Sequence, residues 1–149
     1  MSARQPTVVL DTNVVLDWLV FDDPTAHPLG QAIAQGGLRW LRTKPMAEEL
    51  ARVLAYPALQ ARALNVADIL ARAEHHSCLV HPAPTAPPAL RCADPDDQCF
   101  IDLALAHPAC CLISRDKAVL AVQRAAQSLG LTVMTPTAWL AAREEASAA

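Results

Sequence analysis

Acidic residues at four places in the chain have the types and settings that site chemistry needs. Asp11 ends the run Val8-Val-Leu-Asp11-Thr-Asn13, directly after a short apolar stretch that reads as a buried strand. Asp116 repeats the arrangement in Cys110-Cys-Leu-Ile-Ser114-Arg115-Asp116. Ligands of a parallel α/β sheet bind outside the carboxyl ends of its strands, so two such acids on neighbouring strands would put carboxylates on one rim. Asp, Thr and Asn are also good helix N-caps, and capping alone accounts for either acid. In Ala47-Glu48-Glu49-Leu-Ala-Arg52-Val53-Leu54, Glu48 stands four residues before Arg52 and forms a solvent-face pair. Glu49 instead shares a stripe with Met46 and Val53, the buried side of the helix. An unpaired buried carboxylate is very costly, and a metal ion or a fixed Arg would supply the partner. The last group is Asp94-Pro95-Asp96-Asp97. It reads as a helix start, with Asp94 as cap, Pro95 at the first position and acids at the positive end of the dipole. The helix that follows is apolar nearly all round, so spacing leaves Asp96 and Asp97 tied as the inward-facing acid.

Four apolar runs must position these residues: Thr7–Leu10, Leu38–Leu41, Cys110–Ile113 and Leu131–Met134. Each is followed by a polar or Pro-containing junction and then a helical pattern, at intervals too long for hairpins. That alternation predicts an α/β fold around a mostly parallel sheet. The spacing predicts helices over 13–20, 26–35, 45–55, 58–63, 66–78, 95–107, 117–129 and 136–146. Gly36-Gly37 and Gly130 stand where helices should stop before strands. The Pro-rich stretch His81–Ala89 reads as an extended connector. With no internal repeat and no dividing linker, residues 1–149 are expected to form one domain.

Composition narrows the class. The chain is 53% apolar and 18% charged, which excludes a solvated, disordered polymer. No run of about 18 uncharged apolar residues exists, which excludes a membrane-spanning helix of the usual kind. The N-terminus enters a strand-like run without a signal-peptide core, so a cytoplasmic location is expected. A net charge of −3 excludes nucleic-acid binding through bulk positive charge, and any such binding needs a local patch. The five cysteines contain no C-x-x-C pair, which argues against a disulfide framework or a thiolate zinc site. Cys110 and Cys111, inside an apolar run, read as small buried hydrophobes. The histidines show no tight ligand spacing, and His75-His76 read as a helix end.

Taken in order, Val-Val-Leu-Asp11-Thr-Asn13, Glu49-Leu-x-x-Val-Leu, Asp94-Pro-Asp-Asp97-x-x-Phe-Ile-x-Leu-Ala and Leu-Ile-Ser114-x-Asp116 resemble the PIN-domain family. The resemblance extends over nearly the whole chain, to the closing Thr135-Pro-Thr-Ala-Trp-Leu140. It looks closest to the VapC-like toxin components of bacterial toxin–antitoxin pairs. The resemblance implies a three-layer α/β/α sandwich with a mostly parallel central sheet, and a metal-dependent ribonuclease site. Asp11, Glu49, Asp97 and Asp116 match the family's acidic quartet, and Asn13 and Ser114 match its supporting polar positions. It also favours Asp97 over Asp96. A Mg²⁺ or Mn²⁺ cofactor, an RNA substrate, a cognate antitoxin and a homodimer are implied with it.

The chemistry suits these residue types. Phosphodiester hydrolysis needs a nucleophilic hydroxide and charge stabilisation at the leaving oxygen, and divalent cations on hard oxygen ligands supply both. Asp11 and Asp97 are the expected principal ligands, with Glu49 and Asp116 completing the site or holding water. Asn13 and Ser114 would orient the carboxylates. These motifs offer no His or Lys as general base, so metal-activated water is the economical nucleophile. Arg39, Arg42, Lys44, Arg115 and Lys117 flank the rim and are candidates for phosphate contact, but ordinary surface charge explains each equally well. Haloacid-dehalogenase chemistry wants a second Asp two residues after the first, where this chain has Asn13. Response-regulator receivers want an acidic pair that a lone Asp11 does not provide. The non-enzyme alternative is a PIN-like module that only binds RNA or a protein partner.

Overall fold

The computed structural model describes residues 6–82, 90–107 and 111–148. Its elements run β1 (Thr7–Leu10), α1 (Thr12–Leu19), α2 (His27–Ala34), β2 (Arg39–Arg42), α3 (Lys44–Leu54), α4 (Pro57–Gln60), α5 (Val66–His76) and β3 (Ser77–Leu79). A 3-10 turn (Pro95–Asp97) then leads into α6 (Gln98–Ala106), β4 (Cys111–Ile113), α7 (Lys117–Leu120), α8 (Gln123–Ser128), β5 (Thr132–Met134) and α9 (Pro136–Ala148). The sheet order is β3-β2-β1-β4-β5, and every pairing is parallel. The chain therefore lays β2 and β3 on one side of β1, then crosses over to lay β4 and β5 on the other. Its topological switch point lies between β1 and β4.

Strands of a parallel sheet are covered on both faces, which is why they read as unbroken apolar runs rather than alternating ones. Successive side chains still point to opposite faces. Val9, Leu41, Leu112 and Val133 join a core with Phe100, Ile101, Leu103 and Val119 from α6 and α7. Val8, Leu10, Trp40 and Ile113 join the other core, with Val14 and Val15 of α1, Leu29 of α2, Leu50 of α3 and Ile69 of α5. Two packed faces around one sheet give the three-layer α/β/α sandwich that the family resemblance implies.

Several elements depart from the expected boundaries, among them α4, which ends at Gln60 rather than at residue 63. The helix expected through residue 78 stops at His76, and Ser77 turns extended at φ −114°, ψ 167° to start β3, which pairs with β2. A three-residue edge strand springing directly from a helix leaves no periodic trace. The helix expected over 117–129 is two short ones, α7 and α8, separated at Ala121 and Val122. The helix expected from 95 begins as a 3-10 turn. Gly130 ends α8's turn at φ 83°, a left-handed conformation that favours glycine. Cys110 and the Pro-rich residues 83–89 lie outside the described residues. Cys92 is buried and Cys111 half-buried, whereas Cys99 is exposed.

Gly30 on α2 is a close-approach position: a Cβ there would meet Trp18 Nε1 at 2.2 Å and two further ring atoms at 2.5 and 2.6 Å. The indole is itself pinned, edge-on to Trp40 at 5.6 Å between centroids and tilted against His76 at 5.4 Å. Alanine gains up to about 1 kcal/mol in helix propensity, while overpacking of this severity costs roughly 1–3 kcal/mol. Gly30→Ala is therefore expected to lower the urea unfolding midpoint. A midpoint at or above wild type would show that the indole moves freely.

Candidate active site

Asp11 and Asp116 stand at the carboxyl ends of β1 and β4, either side of the switch point, where a parallel sheet opens its crevice. Parallel pairing carries on into this end, since Asp11 N–H donates to the Ile113 carbonyl at 3.0 Å. Although Asp11 occupies the N-cap position of α1, its side chain makes no capping bond. Its carboxylate is 4% exposed and accepts instead from Ser114 Oγ at 2.7 Å. The same Ser114 oxygen accepts from the Asp116 N–H at 3.0 Å, so one hydroxyl ties the two acids together. Burial pushes the Asp11 carboxyl up; Ser114 and the Thr12 N–H pull it down, and Asp116 and Glu49 push it up again. Asp116 does act as a cap, accepting from the Ala118 N–H at 2.7 Å.

Glu49 comes from α3 on the far side of β1. It is half-buried, beside buried Met46 and Leu50, whereas Glu48 is exposed. Its Oε2 accepts from Thr12 Oγ1 at 2.7 Å, so the residue after Asp11 holds the third carboxylate. The fourth comes from the start of α6. Asp94 caps the 3-10 turn, accepting from the Asp96 N–H at 3.0 Å, and Asp96 is exposed. Asp97 is half-buried and makes no capping bond. Its carboxyl is pushed up to about 7, first by desolvation and then by Asp11, Asp94, Asp116 and Glu49. Asp97 thus shares the electrostatic environment of the other three acids, which breaks the tie that spacing leaves open. Gln98 steadies this corner: its amide donates to the Leu90 carbonyl at 3.0 Å and accepts from the Cys92 N–H at 2.6 Å. The Cys99 thiol, although open to solvent, is pushed up to about 12 by the protein atoms around it and then by Glu49, Asp97, Asp11 and Asp102.

The remaining predicted residues divide by location. Asn13 Oδ1 accepts from the Arg115 N–H at 3.4 Å. The Arg115 guanidinium makes a two-pronged contact with Asp17. Lys44 and Lys117 are exposed. Arg42 is only 6% exposed, donates from Nε to Ser77 Oγ at 2.8 Å and lies over Trp40. It lines a small cavity behind Thr12, with Leu10, Val15, Met46 and Phe100. Thr12 and Asp17 are the two residues that the sequence analysis did not single out. Asp17 carried the signal that marked Glu49, a carboxylate inside an apolar helical run.

The donor set is chemically suited to a hard divalent cation, being all carboxylate oxygen. Burial first and the neighbouring acids second push the Asp97 carboxyl up to about 7, and a bound cation would favour its charged form. Among the described residues, no three His, Cys, Asp or Glu side chains already stand in joint reach of one ion. Mg²⁺ does not require such a cage, because it is commonly held by one or two carboxylates with waters and substrate phosphates completing its shell. Among the described residues, no helix is long and apolar enough to cross a membrane.

Comparison with known proteins assigns the family. No curated protein matches the chain. Among solved structures, the crystal structure of PAE2754 from Pyrobaculum aerophilum is similar, with 17% identity and a TM-score of 0.49, covering 97% of this chain and 99% of that one. A family model described as PIN domain matches residues 7–118, a span that contains all four acids. PIN domains are generally nucleases and typically depend on divalent metals. With well over half of its length matched, the chain belongs to the PIN domain family.

Proposed function

We propose that this chain is a Mg²⁺- or Mn²⁺-dependent endoribonuclease that cuts RNA phosphodiester bonds at Asp11, Glu49, Asp97 and Asp116. The observation that carries the reading is the convergence of the four acids on the switch-point end of the sheet, with Asp97 pushed to about 7 partly by the other three. Asp11 and Asp97 would be the principal ligands, and Glu49 and Asp116 would complete the site or hold water. When bound, the cation eases formation of a nucleophile from water and neutralises charge growing on the leaving oxygen. Ser114 fixes Asp11 against rotation and holds the Asp116 backbone beside it. Thr12 holds Glu49 in the same manner. Asn13 braces the loop that carries Arg115. Arg115, Lys117 and Lys44 at the surface, with Arg42 in the wall behind Thr12, are the cations available to phosphates.

Incubation with labelled single-stranded RNA, in Mg²⁺ and then in EDTA, tests this. Cleavage in Mg²⁺ that stops in EDTA is expected, and RNA left whole under both conditions would refute it. The two glutamates provide an internal control. Glu48→Gln, on the exposed face, is expected to cleave at the wild-type rate, whereas Glu49→Gln is expected to lose about 10–100-fold. The reverse ranking would place the site on the other face of α3.

The finer biological assignment is a toxin of a toxin–antitoxin pair, working in the cytoplasm as a single-domain chain and a homodimer. It rests on the resemblance of the ordered motifs. An adjoining reading frame that encodes a protein able to block cleavage would support it, and light scattering at one subunit mass would count against the dimer.

A further inference from the structure

Asp17 is a buried acid that the carboxylate site leaves unused. It lies on α1 with 3% exposure, and one side chain engages both its oxygens. Arg115 Nε donates to Oδ2, and Arg115 Nη2 donates to Oδ1 at 3.0 Å. Arg115 is therefore held at two points, its backbone by Asn13 and its head by Asp17. Its chain neighbours, Ser114 and Asp116, both belong to the carboxylate site.

The side-on contact occupies one edge of the guanidinium fork. The opposite edge, Nη1 and the second Nη2 hydrogen, makes no hydrogen bond among the described residues, with the Asp23 carboxylate near enough to feel the Arg115 charge, and the Arg115 side chain is 48% exposed. Such an edge matches two oxygens of a phosphate. Burying a carboxylate against a half-exposed cation is a poor means of gaining stability, because desolvation offsets much of the attraction. It is an effective means of fixing where a cation points. A chain of net charge −3, with four carboxylates at the proposed centre, needs one fixed positive group there to receive an anionic polymer.

We propose that Asp17 is a positioning residue that presents the outer edge of Arg115 to a backbone phosphate of RNA beside the carboxylate site. The proposal rests on the ribonuclease reading, and its test separates the two. The probe is a short, labelled, mixed-sequence single-stranded RNA, with binding followed by anisotropy across a KCl series in Mg²⁺. All proteins carry Asp97→Asn so that the RNA stays whole. Asp17→Asn keeps the Arg115 charge but releases its grip, so binding is expected to weaken several-fold. Removal of a negative charge without a clamp would tighten binding instead. The double variant Asp17→Asn/Arg115→Gln leaves no unpaired buried charge and so retains the fold. Its plot of log affinity against log salt is expected to lose about 0.7 in slope, the share of one phosphate on a single strand. Binding by Asp17→Asn at or above the parent's strength, or a double variant with the parent's slope, overturns the clamp alone. A parent that binds no RNA at any salt while wild type cleaves it in Mg²⁺ overturns the clamp alone, and no binding by the parent together with no cleavage by wild type overturns the clamp and the ribonuclease reading together.

Discussion

Replacement of Asp97 by Asn is expected to reduce RNA cleavage by at least ~100-fold, because even the outer partners of metal sites commonly contribute 10–100-fold. The fold should survive unchanged. Asn matches Asp in shape, and the Asp97 side chain makes no capping bond that the helix would miss. The change also removes a carboxylate that burial and then Asp11, Asp94, Asp116 and Glu49 all penalise. The metal-free variant should therefore unfold at the same urea concentration as wild type, or a higher one. Asp96→Asn is the matched control, since Asp96 is exposed and only its backbone is used, the N–H by Asp94 and the carbonyl by Cys99 Sγ at 3.8 Å. Cleavage and urea midpoints of both variants decide the matter. Asp96→Asn inactive beside an active Asp97→Asn would move the site by one residue.

The metal-free protein is also expected to lose stability as the pH rises through about 7. Asp97 has an ordinary value of 3.8 and is pushed up to about 7 in the fold. Between those limits the folded chain holds a proton that the unfolded chain has released, so stability falls with pH. The contribution is complete below the unfolded value and is lost as the folded group ionises. Three units would correspond to about 4 kcal/mol, but solvent reaches Asp97, and screening reduces this to about 1 kcal/mol. Asp11 is raised in the same sense by its burial. Asp23, held low by the Thr25 N–H and hydroxyl, acts oppositely, but in the acid range below its ordinary value. Urea midpoints in EDTA at pH 5 and pH 8 should show the loss, and Asp97→Asn should flatten it. Mg²⁺ at about 100 times its Kd should return roughly 2.7 kcal/mol, and do so where Asp97 is ionised. His76, pushed down by burial, acts oppositely inside this window, so the Asp97 share is read as the difference between wild type and Asp97→Asn. Equal pH dependence in the two proteins would show that the fold does not raise Asp97.

The sequence makes the centre of this fold legible and its edges obscure. β1, β4 and β5 are mostly apolar runs because both faces of the sheet are covered, β2 keeps only Trp40 and Leu41 between Arg39 and Arg42, and the acids that follow β1 and β4 mark the strand ends. β3 follows α5 without a breaker and is only three residues long, so nothing in its composition separates it from the helix. Helical spacing puts Glu49 on the buried side of α3, yet its partner, Thr12, lies 37 residues away. Asp17 and Arg115 are 98 residues apart, and Ser114 and Asp11 are 103 apart. A helical stripe shows that a buried carboxylate needs a partner, but which one it finds is set by tertiary packing, of α3 beside α1 for Glu49 and of β4 beside β1 for Asp17. Asp97 is the intermediate case, since capping, dipole and periodicity treat it and Asp96 alike until the fold sets one against the other acids.

The central claim is that the four carboxylates form a divalent metal site, and calorimetric titration of Mn²⁺ into wild type and Asp11→Asn tests it most directly. Asp11 is the buried member, and Ser114 already sets its orientation. Saturable binding by wild type at or below millimolar Mn²⁺, lost in Asp11→Asn, is the predicted result. Equal binding by the two proteins, or no binding by wild type, would contradict it.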